Sequence, residues 1–152
     1  MGVDEVKAEF EKSGISCAIR EMETTTATVA TAAQALGVEP ALIAKTLAFK
    51  LKDRPILVVT RGDAKIDNQK FKQHFHVKAS MMSPDEVTET TGHPVGGVCP
   101  FGLKRKMDIY LDESLRSFEK VYPAAGSQNS CVEITPGELG RITGGQWVDV
   151  CK

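Results

Sequence analysis

"KTLAFKLKDRPILVVTR", Lys45–Arg61, decides the fold class. Two apolar runs, KTLAFKL and PILVVTR, flank the charged triplet Lys52-Asp53-Arg54. Short runs rich in β-branched and aromatic residues, joined by a polar tip, read as a β-hairpin. An antiparallel pair is therefore the expected nucleus.

Toward the N-terminus, TATVATAAQALGV places Val29, Ala32, Ala33 and Leu36 on one helical stripe. Thr26 or Thr28 caps that helix and Gly37 stops it. Pro40 suits the first turn of a further short helix leading to Ile43. Residues 4–13 place Val6 and Phe10 one turn apart and end at Gly14, and residues 15–22 fit a strand.

Toward the C-terminus, IDNQKFKQHF predicts a helix with Ile66, Phe71 and Phe75 inward, and HVKASM a short strand. SPDEVTETTG carries a capping box, Ser83 with Glu86, with Pro84 at the first turn and Gly92 as the stop. KMDIYLDE, KVYPAAG, SCVEIT and QWVDVC read as strands, and TPGELGRITGG repeats the capping logic at Thr135 and Glu138. Helices and strands intermix without repeats or linkers. The expectation is one α+β domain over residues 1–152 with a mixed, mostly antiparallel sheet.

The chain has 152 residues, 41% hydrophobic and 26% charged, which places it among folded domains. It has no apolar run of the roughly 20 residues that span a bilayer, and its charged N-terminus is unlike a signal peptide. A cytoplasmic protein without a membrane partner is expected. Four cysteines occur without a C-x-x-C pair, so neither a zinc site nor a redox pair is signalled, and no cofactor is expected. With a net charge of −1, nucleic-acid binding would require a local basic face.

One segment fits neither helix nor strand: GHPVGGVCPFGL, Gly92–Leu103. Its free N–H groups suit an anion nest or oxyanion hole, and its composition equally suits a structural turn. It has neither the Walker A pattern nor the dinucleotide fingerprint. Lys104, Arg105 and Lys106 follow directly, a cluster that could meet phosphate or be a solvated charge run. Lys45, between apolar ALIA and TLAF, either snorkels or points its ammonium into a cleft. His93 in the loop could contact a ligand, but no base–nucleophile pair accompanies it.

AAQALGVEPALIAKTLAFK, PILVVTRGDAKID, SPDEVTETTGHPVGGVCPFGLKRKMDIYLDESL and AAGSQN together resemble the YbaK/ProX family of aminoacyl-tRNA deacylases, over residues 15 to 150. That family includes free-standing proofreading proteins and the editing domain inserted in bacterial prolyl-tRNA synthetases. The resemblance implies a sheet curving toward a barrel, with helices outside. It implies a pocket for the aminoacylated 3′ end of tRNA, with Lys45 and the backbone at Gly97 as catalytic groups. His93, Gly96, Val98, Cys99, Pro100, Phe101 and Gly102 would bind substrate, with Gly126, Ser127 and Asn129 from AAGSQN. Glycines 96 and 97 would lack side chains so that the ester can come close. Lys104, Arg105 and Lys106, with Lys50 and Lys72, are the candidate tRNA contacts.

The implied activity is hydrolysis of a mischarged tRNA ester, most simply tRNA for proline carrying cysteine, alanine or another small residue. Prolyl-tRNA synthetase is an implied partner, and DNA is not. Family members use substrate groups, the ribose 2′-OH or a cysteinyl thiol, in place of a protein nucleophile, which agrees with the missing triad. The alternative is a module that binds tRNA or an aminoacyl ligand without turnover. One departure stands out. The tyrosine that some members carry in the ISCAIREM region is absent, for Tyr110 and Tyr122 lie elsewhere.

Overall fold

The hairpin forms as its sequence predicts: β2 (Ile43–Lys50) and β3 (Pro55–Arg61) pair antiparallel from Ala44↔Arg61 to Lys50↔Pro55. The computed structural model describes residues 2–15, 17 and 19–152. The strand expected over 15–22 is described as β1 (Ile19–Glu21), with Ser16 and Ala18 outside the described residues.

The main sheet runs β5-β2-β3-β4-β7, with β4 at Asp108–Asp112, β5 at Tyr122–Pro123 and β7 at Gln146–Val148. Apart from the hairpin, its pairings are parallel: β5 on β2, β4 on β3 and β7 on β4. β1 pairs antiparallel with β6 (Ser130–Val132) in a second small sheet. Antiparallel bridges Val121↔Ile134 and Ala124↔Cys131 tie that sheet to the β5 edge. The sheet is thus mixed, and no ladder among the described residues joins β7 to β1 to close a barrel.

Ile56, Leu57, Val58, Val59 and Thr60 are all fully buried, which explains the unbroken apolar run of β3: it is the central strand. Strand alternation then separates two faces. Phe49, Val58 and Tyr110 pack with Phe71 of helix α3 (Asn68–Phe75). Opposite them, Ala44, Val59 and Leu111 pack with Val6 and Phe10 of helix α1 (Val3–Lys12) and Leu139 of helix α5 (Pro136–Thr143). Further along the same face, Ala48 and Leu57 meet Met82, Met107 and Val87 of helix α4 (Pro84–Thr91).

Local caps fix the helix ends. Thr28 caps helix α2 (Val29–Leu36) by accepting from the Thr31 N–H, and Gly37 closes it in the left-handed region at φ 69°. Ser83 and Glu86 form the expected capping box of α4. HVKASM is not a strand. His76 turns left-handed to end α3, and only Met81 bridges, to Phe49. A 3-10 helix at Glu113–Ser117 follows β4, started by the Asp112 carboxylate accepting from the Ser114 N–H at 2.9 Å. No helix among the described residues is long and apolar enough to cross a membrane.

Candidate functional site

β2 is only partly covered along its outer side, because β5 pairs with Ile43 and Ala44 and then turns away. A cavity of about 290 Å³ opens against that uncovered stretch. Ala44, Thr46 and Ala48 of β2 line it, together with Lys45. Thr28, Val29 and Ala32 of α2 form one side, and Met82, Pro84 and Val87 at the start of α4 another. Val95, Gly96 and Val98 bring the glycine loop to its rim, while Tyr122, Ala124 and Cys131 complete the far wall. The lining is small-residued and apolar, and the volume sits at the low end of ligand clefts. It is a pocket for a small group.

The loop is built around His93. This ring is fully buried, and its Nε2 lies 2.6 Å from the Phe101 carbonyl. A carbonyl only accepts, so Nε2 carries a proton and donates it there. Burial also pushes its pKa below the ordinary histidine value. Gly97 N–H donates to the Pro94 carbonyl at 2.9 Å, Gly126 N–H to the Gly97 carbonyl at 3.1 Å, and Gln128 Nε2 to the Val95 carbonyl at 2.7 Å. The loop is therefore held rigidly against the Gly126–Asn129 turn.

The absent side chains at the two central glycines answer to protein atoms. A Cβ on Gly97 would lie 2.7 Å from the backbone N and C of Ser127, and one on Gly96 would lie 2.8 Å from the Ala27 Cβ. Close approach of an ester is not needed to explain either glycine.

Of the residues singled out from sequence, Lys45, Gly96 and Val98 reach the cavity. Cys99, Phe101 and His93 are fully buried beneath the loop, and Pro100 is buried beside them. Burial pushes the Cys99 thiol up to about 12, so it is neutral and inert at ordinary pH. Phe101 stacks edge-on with Phe10, ring centroids 5.0 Å apart, and Gly102 N–H donates to Glu9 at 2.9 Å. These residues anchor the loop to α1. Gly126 and Ser127 back Gly97, and exposed Asn129 donates from Nδ2 to the Met22 carbonyl at 2.9 Å.

The Lys45 ammonium donates to the Ala64 carbonyl at 2.5 Å and forms no ion pair among the described residues. Burial lowers its pKa below the usual lysine value. Lys104, Arg105 and Lys106 are exposed just beyond the C-terminal end of α4, with Lys104 N–H donating to the Thr91 carbonyl. Lys50 reaches the other end of α4, 3.1 Å from Glu86. Lys72 is on α3, across the sheet from the cavity.

Most lining residues were not singled out as site residues in the sequence, among them Thr26, Thr46, Tyr122 and Cys131. Thr46 carries a buried hydroxyl without a hydrogen-bond partner, and the buried Thr26 hydroxyl lies against the Cys131 thiol. Tyr122 donates from its hydroxyl to Glu133 at 3.0 Å, and Glu133 is also held by Arg20 and Lys120. Cys131 is buried on β6. Small polar residues on separate segments leave no local signal. Among the described residues no cluster of His, Cys, Asp or Glu is placed to hold a metal ion.

The profile of the aminoacyl-tRNA editing domain matches residues 23–142. The uncharacterized protein YwhH of Bacillus subtilis is 48% identical over 154 aligned residues, covering 100% of this chain and 98% of its own. An Enterococcus faecalis protein named "Putative Cys-tRNA(Pro)/Cys-tRNA(Cys) deacylase EbsC" is 29% identical, over 78% of this chain and 73% of its own. A crystal structure described as "a putative trans-editing enzyme for prolyl tRNA synthetase" superimposes with a TM-score of 0.91 at 31% identity, covering 99% of this chain and 96% of its own. Fold, cavity and sequence agree: the chain belongs to the aminoacyl-tRNA editing domain family.

Proposed function

We propose that residues 1–152 act as one free-standing editing unit that hydrolyses the ester of mischarged aminoacyl-tRNA. The observation that carries this reading is the small apolar cavity of about 290 Å³, set against an uncovered strand and a rigid loop. A synthetase pocket rejects a slightly smaller or isosteric side chain by only about 1–3 kcal/mol, so a second hydrolytic sieve is needed for fidelity. A small, apolar pocket fits the second sieve for cysteine, alanine or a similar residue, and tRNA for proline is the proposed carrier. The work is done in the cytoplasm, where tRNA is charged.

In this reading the aminoacyl group enters between α2 and the loop, Gly96 and Val98 border it, and Lys45 supplies positive charge. No protein nucleophile takes part. Cys99 is buried and protonated, and the attacking oxygen comes from water or is aided by a substrate group.

Single-turnover hydrolysis of a panel of aminoacyl-tRNAs tests the reading. Cysteinyl- or alanyl-tRNA for proline is expected to lose its ester far faster than correctly charged prolyl-tRNA. Loss of no ester at micromolar protein would favour a binding module instead.

The exposed cations beside α4 are proposed to meet tRNA phosphates. Arg105→Glu combined with Lys106→Glu is expected to weaken tRNA binding and lower the salt slope of log K by about 2, roughly one for each phosphate left without its cation. Unchanged affinity and slope would remove these residues from the interface.

A further inference from the structure

Backbone direction along β2 alternates between its two neighbours. Leu51 N–H donates to Arg54 across the hairpin at 2.9 Å, so odd-numbered positions face β3. Lys50 N–H donates outward to Ser80 at 2.8 Å, and Ala48 accepts from Met82 N–H at 3.0 Å, so even-numbered positions face away from β3. Ala44 is satisfied by β5, whose pairing ends there. Thr46 is the even-numbered residue left between these two covers.

Its N–H and C=O have no backbone partner among the described residues, and its Oγ1 is buried and unpartnered as well. All of this lies in the wall of the apolar cavity. Thr46 is half-buried, so its outward N–H faces the cavity, while its fully buried hydroxyl is of a kind that is ordinarily paired and costly to leave alone. Gly97 in the loop is different, for its N–H is already committed to Pro94. Gly96 and Val98 also border the cavity, but Thr46 is set apart by carrying an open N–H and a buried, unpartnered hydroxyl on one residue.

We infer that the open β2 edge at Thr46 binds the carbonyl oxygen of the scissile aminoacyl ester, with the Thr46 N–H as oxyanion donor. The inference rests on the deacylase reading. Water adds to the ester carbonyl carbon, and the C=O π pair moves onto the oxygen held by the Thr46 N–H. When that pair returns, the bond to the tRNA ribose oxygen breaks. The ribose oxygen leaves with the bonding electrons and takes the proton the water has lost. The products are the free amino acid and tRNA with a free 3′ end.

Two variants separate the donors. Thr46→Val removes the hydroxyl and keeps the N–H. Thr46→Pro removes both, and proline is tolerated on a strand edge whose N–H faces outward. Single-turnover hydrolysis of cysteinyl- and alanyl-tRNA by Thr46→Pro is expected to be about 100- to 1000-fold slower than by Thr46→Val, the usual loss for one oxyanion donor. Should the proline variant misfold, the α-hydroxy acid analogue of valine at position 46 deletes only the N–H, and the same loss is expected. A rate within threefold of Thr46→Val, in a folded protein, overturns the inference and leaves the deacylase reading standing.

A second readout does not depend on turnover. Amide-linked alanyl-adenosine, which cannot be hydrolysed as an ester, is expected to shift the Thr46 amide proton resonance downfield on binding. If the wild type hydrolyses no ester but shows this shift, the deacylase reading fails and the carbonyl anchor stands. Binding without the shift overturns the anchor, and absence of both hydrolysis and binding overturns both.

Discussion

Lys45→Ala is expected to slow single-turnover deacylation by about 30- to 1000-fold, which corresponds to about 2–4 kcal/mol of transition-state stabilisation. The half-buried ammonium spends one proton on the Ala64 carbonyl and has no carboxylate in an ion pair among the described residues. A partly dehydrated cation without a counter-charge costs stability, and such a cost is characteristic of functional sites. Lys45→Met, which keeps the stem and drops the charge, is therefore expected to melt no lower than wild type yet react as slowly as Lys45→Ala. Lys45→Arg keeps charge with a different shape and should rescue only in part.

The sign of the pH dependence follows from desolvation, which lowers the ammonium pKa. Activity that needs the cation is present below that pKa and declines as pH rises through it, earlier than an exposed lysine would allow. A Lys45→Ala rate within threefold of wild type, with an unchanged melting profile, would make the residue a bystander.

Local chemistry was legible in the sequence, and distant pairing was not. The caps at Thr28, Ser83 and Thr135 sit where composition places them, because a cap joins residues only three positions apart. The hairpin is equally local. That β4 and β7 join in parallel on one side of β3 depends on long-range packing that no short window contains. HVKASM has strand-like composition, yet the left-handed turn at His76 and the single bridge at Met81 leave it irregular. In the site, Lys45 and the loop glycines stood out because lysine among apolar residues and clustered glycine are unusual. Thr46 did not, since a threonine in a strand is ordinary. Its meaning comes from β5 stopping at Ala44.

Gly97→Ala separates two explanations of the loop. If the glycine only makes room for the ester, the added methyl slows hydrolysis and leaves the melting temperature unchanged. The structure gives a different expectation. The new Cβ would meet Ser127 N and C at 2.7 Å and its Cα at 2.8 Å, all backbone atoms that cannot swing aside. The loop must then withdraw from the Gly126–Ser127 turn, stretching the 3.1 Å bond from Gly126 N–H to the Gly97 carbonyl. Overpacking of this kind costs about 1–3 kcal/mol, which lowers the melting temperature of a domain this size by roughly 3–10 °C. Gly96 and Val98 move with Gly97, so the cavity rim shifts as well. A displacement of that order is expected to cost up to about 100-fold in rate. Differential scanning calorimetry and single-turnover hydrolysis on the same preparation decide between the two. A slow enzyme that melts with the wild type would return Gly97 to the ester. A slow enzyme that melts several degrees lower makes it the seat on which the loop rests.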